Sequence, residues 1–405
     1  MRDGTVAVVG GSIAGCAFAS AAARAGAAEV RVLERTRGRL ADRGLGLCIH
    51  DERAAELTAV GALPAGIPAH RLTRRRWVVR DGAGPAGRVF WEQPFPFHSY
   101  HWGLLWRGLR EATPDTVLYR QGVTVTSVTG ADGEDRAEVR LADGAVERYD
   151  LVVGADGYRS VVREAVCAQS RPHYAGYVCW RGNFDARRLD ALGDGDWPAE
   201  AVTTVCFPGG SCVVYRIPGP GGPRVNWVLY AMPPRTARLP YDDPTSFPPG
   251  KVTEELTAHL AGLLDREFPP YWARVIALTE PADTFVQPIY DLETARTAAG
   301  RLLLAGDAAT VVRPHNTSGA AKALQDAAAF ESAWRRSGSW AQLLHGYQAA
   351  RGAAGRELVA LARRLGRAQV ERTPDWAAMD HAEAASWWQG QLAGAPGIGG
   401  QAMTR

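Results

Sequence analysis

The sequence is short of several things. No apolar stretch approaches the roughly 18 residues needed to cross a bilayer, so no membrane-spanning helix is expected. The six cysteines, at positions 16, 48, 167, 179, 206 and 212, form no C-x-x-C pair. That speaks against zinc ribbons and dithiol redox chemistry, leaves no metal site to expect, and points to free thiols in a reducing cytoplasm. There is little excess charge: the formal net charge is +3, too small to argue for nucleic acid as a partner. Arg74, Arg75 and Arg76 lead directly into the strand-like WVVR and read as a solvated strand start, with an anion site as the lesser alternative. The opening MRDGTVAVVGG has no long apolar leader, because a strand begins at once, so no secretory signal is expected.

What remains is an ordinary globular composition, 46% hydrophobic and 22% charged over 405 residues, enough for two or three domains with sizeable cores. Thirteen tryptophans is a high count; some are candidates for an aromatic pocket, most for the core. Residues 5–9 read as a short buried strand. The alanine-rich 13–25 reads as a helix packed closely on a sheet, and 29–34 (EVRVLE) as the next strand. Together they make one βαβ unit. Helical spacing recurs at 51–60, 102–112 and 251–264, and from 319 to about 370. Extended, turn-punctuated pattern fills 71–92, 117–153 and 172–232. The tail from 394 has a disordered composition. The expected class is α/β: a Rossmann-type dinucleotide-binding domain (1–70, 99–170 and 283–362) interrupted by a β-rich substrate domain (71–98 and 171–282), followed by a C-terminal helical segment and flexible tail (363–405).

Three turns carry chemistry. The first, Gly10-Gly11-Ser12-Ile13-Ala14-Gly15, departs from G-x-G-x-x-G only at Ser12. Gly10 permits the tight turn, Gly15 lets the helix pack on the strand, and the helix N-terminus presents bare N–H groups to a pyrophosphate. Serine at the middle position is small, and its hydroxyl is a donor. Glu34, ending the second strand, is placed to accept hydrogen bonds from a ribose, and a carboxylate there disfavours a 2′-phosphate. GAGPAG, Gly82 to Gly87, fits the motif literally, but Pro85 and RVFWEQ open no helix, so it reads as a hairpin turn. The second turn is Gly154-Ala155-Asp156-Gly157, where a buried strand ends in a carboxylate. The third runs from Gly306-Asp307 through Pro314 to TSGAA, where a further helix opens. Ligands of open α/β sheets bind at such strand ends.

The glycine turn, the DG segment and the GD…P segment, in this order and spacing, make the chain resemble the FAD-dependent aromatic hydroxylases built like p-hydroxybenzoate hydroxylase. The resemblance covers roughly residues 5 to 360. YAGYVCWRG (174–182), PIYDLE (288–293) and RPHNTSGAAKALQDA look like the branch containing 2,6-dihydroxypyridine 3-monooxygenase. Thr310 stands where many relatives have histidine, and NTSGAAK replaces the commoner GxGxN. By position the resemblance implies Glu34 on the ribose, Arg35 flanking the adenine and Arg43 reaching the pyrophosphate or flavin. Asp156 and Asp307 would lie on the pyrophosphate and ribityl region. The N–H groups of Ser318, Gly319 and Ala320 would face the flavin pyrimidine, and Pro314 its reactive edge. Val125, Gly157 and Gly306 complete the implied cofactor-binding set with Gly10, Ser12, Ile13, Ala14 and Gly15.

In that family NADH or NADPH reduces a tightly but non-covalently held FAD, O2 adds as a C4a-hydroperoxide, and an electron-rich ring takes one oxygen. The implied ligand is a small aromatic or heteroaromatic molecule, and the implied state a monomer or homodimer in the cytoplasm. Trp180, Tyr215, Trp227 and Tyr230 are candidate pocket walls or plain core. His315 either polarises a phenol or is a hydrogen-bonded loop residue. Arg181 either binds an anionic group or ties the domains together. Pro314, His315, Arg181 and Tyr215 form the candidate catalytic set. Epoxidation, Baeyer–Villiger insertion, reduction, or flavin binding without turnover stay open as alternatives.

Overall fold

The computed structural model describes residues 4–38, 40, 45–82, 84–193, 197–235, 252–395, 397 and 400. Short apolar strands in its first half stack side by side because each is buried on both faces. Thr5–Val9 lies between Glu29–Glu34 and Leu151–Gly154, and all three run parallel. Val117–Gln121 extends the sheet on one side, and Leu302–Leu304, also parallel, on the other. Ala298–Ala299 closes it as an antiparallel edge. The helix Ile13–Arg24 covers one face with alanines and Phe18, packing against the helix Gly319–Arg336.

A second, nine-stranded sheet is mostly antiparallel, as expected where strands join by short turns. Its order is Thr310–Val311, Phe285–Glu293, His173–Asp185, Arg224–Ala231, Gly210–Ile217, Ala201–Phe207, His70–Val79, Arg88–His101 and Gly46–His50. GAGPAG lies in the hairpin between His70–Val79 and Arg88–His101, not at a helix N-terminus. Gly46–His50 and Phe285–Glu293 belong to this sheet, although the sequence division places both with the dinucleotide-binding segments. Gly46–His50 forms one edge of this sheet beside Arg88–His101, and Phe285–Glu293 lies at the other end between His173–Asp185 and Thr310–Val311. Helices Glu254–Glu267 and Pro270–Ala277 bury the outer face of the large sheet. The helix Trp340–Gly366 runs past the expected boundary at 362, and His381–Leu392 packs on Trp77 and Trp91. Most of the tail from 394 lies outside the described residues. No described helix is long and apolar enough to cross a membrane. The six cysteines are buried and free.

Candidate active site

Parallel strands put their carboxyl ends on one edge of the sheet, and all three turns lie there. The Gly10 N–H donates to the Leu33 carbonyl at 2.9 Å, Ala155 N–H to Val9 at 2.8 Å, and Ala305 N–H to Gly154 at 2.9 Å. Gly10 has φ +96°, a region in which glycine alone is comfortable, and a side chain on it would collide with the Ala155 carbonyl. A Cβ on Gly15 would collide with the Gly10 carbonyl oxygen, and one on Gly306 (φ +55°) would come within 2.9 Å of Ala14 Cβ. Segments far apart in sequence therefore touch backbone to backbone.

The first turn is locked from outside. The Gly11 carbonyl accepts from Trp106 Nε1 and Tyr119 OH, each at 2.8 Å. Glu34, buried, accepts from Gly11 N–H on one oxygen and Thr36 N–H on the other, both at 2.7 Å. A carboxylate has about four acceptor sites, so capacity for a ribose remains. The helix beginning at Ile13 has no acidic residue in its first turn, and Ser12 at its N-cap makes no side-chain capping bond. Hydroxyl, N–H groups and helix dipole are all left for an anion.

At the second turn Asp156 Oδ2 accepts from Val161 N–H at 2.8 Å, while Oδ1 is buried with no partner. Burial raises the Asp156 carboxyl above its ordinary value, against hydrogen bonds from Ser160 and nearby backbone. Gly157 takes φ +77°. Arg35 is exposed beside this turn, near enough to Tyr158 for its charge to act there.

A network that nothing in the sequence analysis anticipated holds the third turn. Lys322 and Asp326 are both buried, and Lys322 Nζ donates to Asp326 at 2.8 Å and to the Gly306 carbonyl at 2.9 Å. Asp326 also accepts from Gly306 N–H at 3.1 Å and Arg351 Nε at 2.7 Å. Burial alone would raise Asp326, but Lys322 and Arg351 outweigh it and hold the carboxyl low. The signal was present as a Lys–Asp pair four residues apart in an otherwise alanine-rich helix, KALQD. Asp307 itself is solvent-accessible, yet enough protein surrounds it for desolvation to raise its carboxyl, with Lys322 opposing and Asp326 adding. A group at the floor of an open cleft behaves this way.

The loop above is fixed by a second ionic cluster. Asp291, fully buried, takes Arg313 Nε at 2.8 Å and Arg363 Nη2 at 2.6 Å, and Arg313 also reaches Glu371 at 2.9 Å. Pro314–Asn316 form a 3₁₀ turn and Thr317 takes φ +52°, the only non-glycine among the described residues with positive φ. Pro314 and Gly319 are exposed, Ala320 half-buried and Ser318 buried. Asn316 Oδ1 and Thr317 Oγ1 are buried without partners, and Ser318 makes no capping bond with its side chain.

Facing this edge is the inner surface of the nine-stranded sheet. Strand alternation divides the aromatic candidates. Tyr215 and Tyr230 point inward, whereas Trp180 and Trp227 point outward into the helix-covered core and are not pocket walls. His315 is buried, with Nε2 at 2.8 Å from Tyr177 OH and its ring 4.3 Å from that of Tyr230. Burial, with Arg313 and Arg75 adding, pushes its pKa down to about 3. It is therefore neutral, and too weak a base to hold a proton at pH 7. Arg181 Nη2 donates to the Gly46 carbonyl at 3.4 Å, and the Gly46 N–H donates to Asn226 Oδ1 at 2.8 Å. Arg181 thus ties two strands of the large sheet together while its buried Nε has no partner.

Some expectations need correction or fall elsewhere. Val125 packs its side chain in a core cluster with Val9 and Leu33, so a cofactor contact there would fall to its backbone. Arg43 lies outside the described residues. Arg74 and Arg76 are partly exposed and face Glu200 and Glu92, but Arg75 is 3% exposed and is no part of a solvated strand start. Alternation turns the middle arginine inward.

The edge suits a dinucleotide, with three backbone cradles that a Cβ would fill, a free helix N-terminus, and an unpartnered Asp156 oxygen. No protein-family model matches the chain. It is 30% identical over 340 residues, 80% of this chain and 77% of the relative, to a 3-amino-4-hydroxybenzoate 2-monooxygenase of Streptomyces platensis. It is 28% identical over 335 residues, 80% of each chain, to a 2,6-dihydroxypyridine 3-monooxygenase of Paenarthrobacter nicotinovorans. Among solved structures, 2,6-dihydroxypyridine-3-hydroxylase from Arthrobacter nicotinovorans superposes with a TM-score of 0.77 at 24% identity, covering 93% of this chain and 96% of that one. Cradle, fold and relatives agree: the chain belongs to the FAD-dependent aromatic monooxygenases.

Proposed function

We propose that the protein hydroxylates an aromatic or heteroaromatic small molecule, taking electrons from NADH or NADPH and one oxygen atom from O2. The observation that carries this is the meeting of the three strand-end turns opposite an inner sheet face that holds His315, Tyr177 and Tyr230. Bound FAD would supply the electron transfer and oxygen activation. The turn at Gly10–Gly15 with Glu34 would hold the adenosine and pyrophosphate, Asp156 and Asp307 the middle of the cofactor, and Ser318, Gly319 and Ala320 its pyrimidine edge.

The protein's own part is to position and to exclude water. Tyr215 and Tyr230 offer ring faces to an aromatic guest. His315 stays neutral, so it would orient a ring hydroxyl by hydrogen bonding through one ring nitrogen while Tyr177 OH fixes the other. The Asp291 cluster keeps the loop carrying Pro314 and His315 at a fixed height. Residues 1–70, 99–170 and 283–362 serve as the flavin-binding part, with 71–98 and 171–282 as its roof. Strands Gly46–His50 and Phe285–Glu293 are shared between them.

The purified protein should be yellow. A ring substrate should stimulate both NAD(P)H oxidation and O2 uptake, and the product should have gained one oxygen. A colourless protein that FAD does not reconstitute would overturn the proposal, and a product lacking the oxygen would replace hydroxylation with reduction.

A further inference from the structure

We propose that Arg75 is the anion anchor of the substrate pocket, so that the ring taken by this enzyme carries a negatively charged oxygen group. The inference rests on the monooxygenase reading above and narrows its substrate class.

Arg75 occupies an inward position on the strand His70–Val79, in series with Leu72, Trp77 and Val79, all buried. Its neighbours in that series are apolar, and a guanidinium there is expensive unless something compensates it. Nε donates to Thr204 Oγ1 at 2.7 Å, and the guanidinium carbon lies 4.1 Å from the centre of the Trp77 ring. Among the described residues no carboxylate comes within ion-pair distance of it. Two other deeply buried cations are paired with carboxylates, Arg313 with Asp291 and Glu371 and Lys322 with Asp326, while the buried Arg163 is held by the carbonyls of Ala308 and Tyr158. Burial lowers the Arg75 pKa to about 10, so it remains a cation at neutral pH.

The position is also right. The charge of Arg75 acts on Cys48, Cys206 and Tyr230, and on His315 from the opposing loop. These groups come from four different elements, three strands of the large sheet and the loop of His315. In the middle of that face Val213 is partly exposed while Cys212 and Val214 on either side are buried, so the strand has open space over its inner side. Around the same face Asn226 Nδ2, Arg181 Nε and Ser211 Oγ are buried with no hydrogen-bond partner. Asn226 Nδ2 and Arg181 Nε are donors, Ser211 Oγ can act as one, and all lie on strands of the sheet that carries the unpaired Arg75 cation. A carboxylate or ionised hydroxyl on the substrate ring would satisfy them together.

The test uses the flavin-loaded enzyme and a panel of aromatic carboxylates, each paired with its uncharged amide; 4-hydroxybenzoate with 4-hydroxybenzamide and 3-amino-4-hydroxybenzoate with its amide are two such pairs. Ionised 4-nitrophenol paired with 4-nitroanisole covers the hydroxyl form of the same charge. Binding is read from the flavin absorbance and from tryptophan fluorescence, since Trp77 stacks under Arg75. At least one anion should bind about tenfold or more tightly than its neutral partner. Arg75→Met should abolish that preference, and Arg75→Lys should retain much of it. Because no carboxylate is left behind, Arg75→Met should keep its flavin and its thermal midpoint.

If no pair shows a preference for the anion, including the case where nothing in the panel binds, the proposal is overturned. It is equally overturned if Arg75→Met keeps the preference, or if that variant loses stability while the preference persists, because the arginine is then structural. A native protein that stays yellow and couples NAD(P)H oxidation to O2 uptake in these outcomes leaves the monooxygenase reading standing. A colourless one removes both.

Discussion

The two sides of the active site are built on opposite plans. The edge of the six-stranded sheet is shaped by backbone: Gly10, Gly15 and Gly306 allow close approach of neighbouring segments, and the carboxylates Glu34 and Asp156 spend part of their capacity holding the turns themselves. The inner face of the nine-stranded sheet presents side chains, His315 against Tyr177 and Tyr230, with Arg75 near enough for its charge to act on His315 and Tyr230. Backbone cradles are rigid and fit a ligand part common to many enzymes. Side chains on a pleated surface can be exchanged one at a time without moving the sheet, so that surface is where one family member differs from another.

Several substitutions would break or sharpen this contrast. The largest effect belongs to Asp326→Ala. It leaves Lys322 and the partly buried Arg351 without their carboxylate and frees Gly306, and should cost about 3–5 kcal/mol in denaturant unfolding, with loss of flavin. Gly15→Ala follows, at the upper end of ~1–3 kcal/mol for overpacking, because its Cβ meets backbone that does not yield. A flavin content unchanged by either would show that the edge is not a rigid cradle.

A pH effect comes next. His315 is depressed to about 3 in the folded chain against 6.5 for an ordinary histidine. Between those values the unfolded chain binds a proton that the native one refuses, so stability should fall as pH drops through that window. Acid unfolding of Asp326 adds to this, since its carboxyl is held low and loses its ionic stabilisation on protonation. His315→Gln should flatten part of the loss in thermal midpoint between pH 7 and pH 4. An unaltered profile would mean the histidine is hydrated rather than buried.

Tyr177→Phe removes one hydrogen bond to His315 and should cost about 1 kcal/mol, with a larger effect on turnover than on flavin binding. The smallest effects belong to Arg74→Gln and Arg76→Gln. Their ion pairs with Glu200 and Glu92 are partly exposed, so each should change stability by under about 1 kcal/mol and leave ligand binding alone. If Arg74 or Arg76 mattered to binding as much as Arg75, the inward turn of the middle residue would lose its meaning.

The cofactor edge was legible in the one-dimensional chain because its demands are local. A strand, a turn of small residues and a helix start occupy consecutive positions, and a strand ending in a carboxylate is visible wherever it occurs. The order of three such turns also carried the family. The substrate side was much less legible. The aromatic candidates divided by strand phase, with Tyr215 and Tyr230 inward and Trp180 and Trp227 outward, and a one-residue uncertainty in phase exchanges the two sets. The same phase separates Arg75 from Arg74 and Arg76. The Lys322–Asp326 pair has the i,i+4 spacing of any helix ion pair, and only the fold shows that both residues are buried.

By itself, then, the order of residues determined the alternation of strand and helix, the three glycine- and aspartate-bearing turns and the kind of cofactor they suit, since each depends on contacts within a few residues or on the absence of a Cβ. Only the tertiary structure decided which way each side chain on the large sheet faces, which charges are paired, and that the buried Arg75 has no carboxylate partner among the described residues. Those outcomes depend on neighbours brought in from strands more than a hundred residues away, as Thr204 is brought to Arg75.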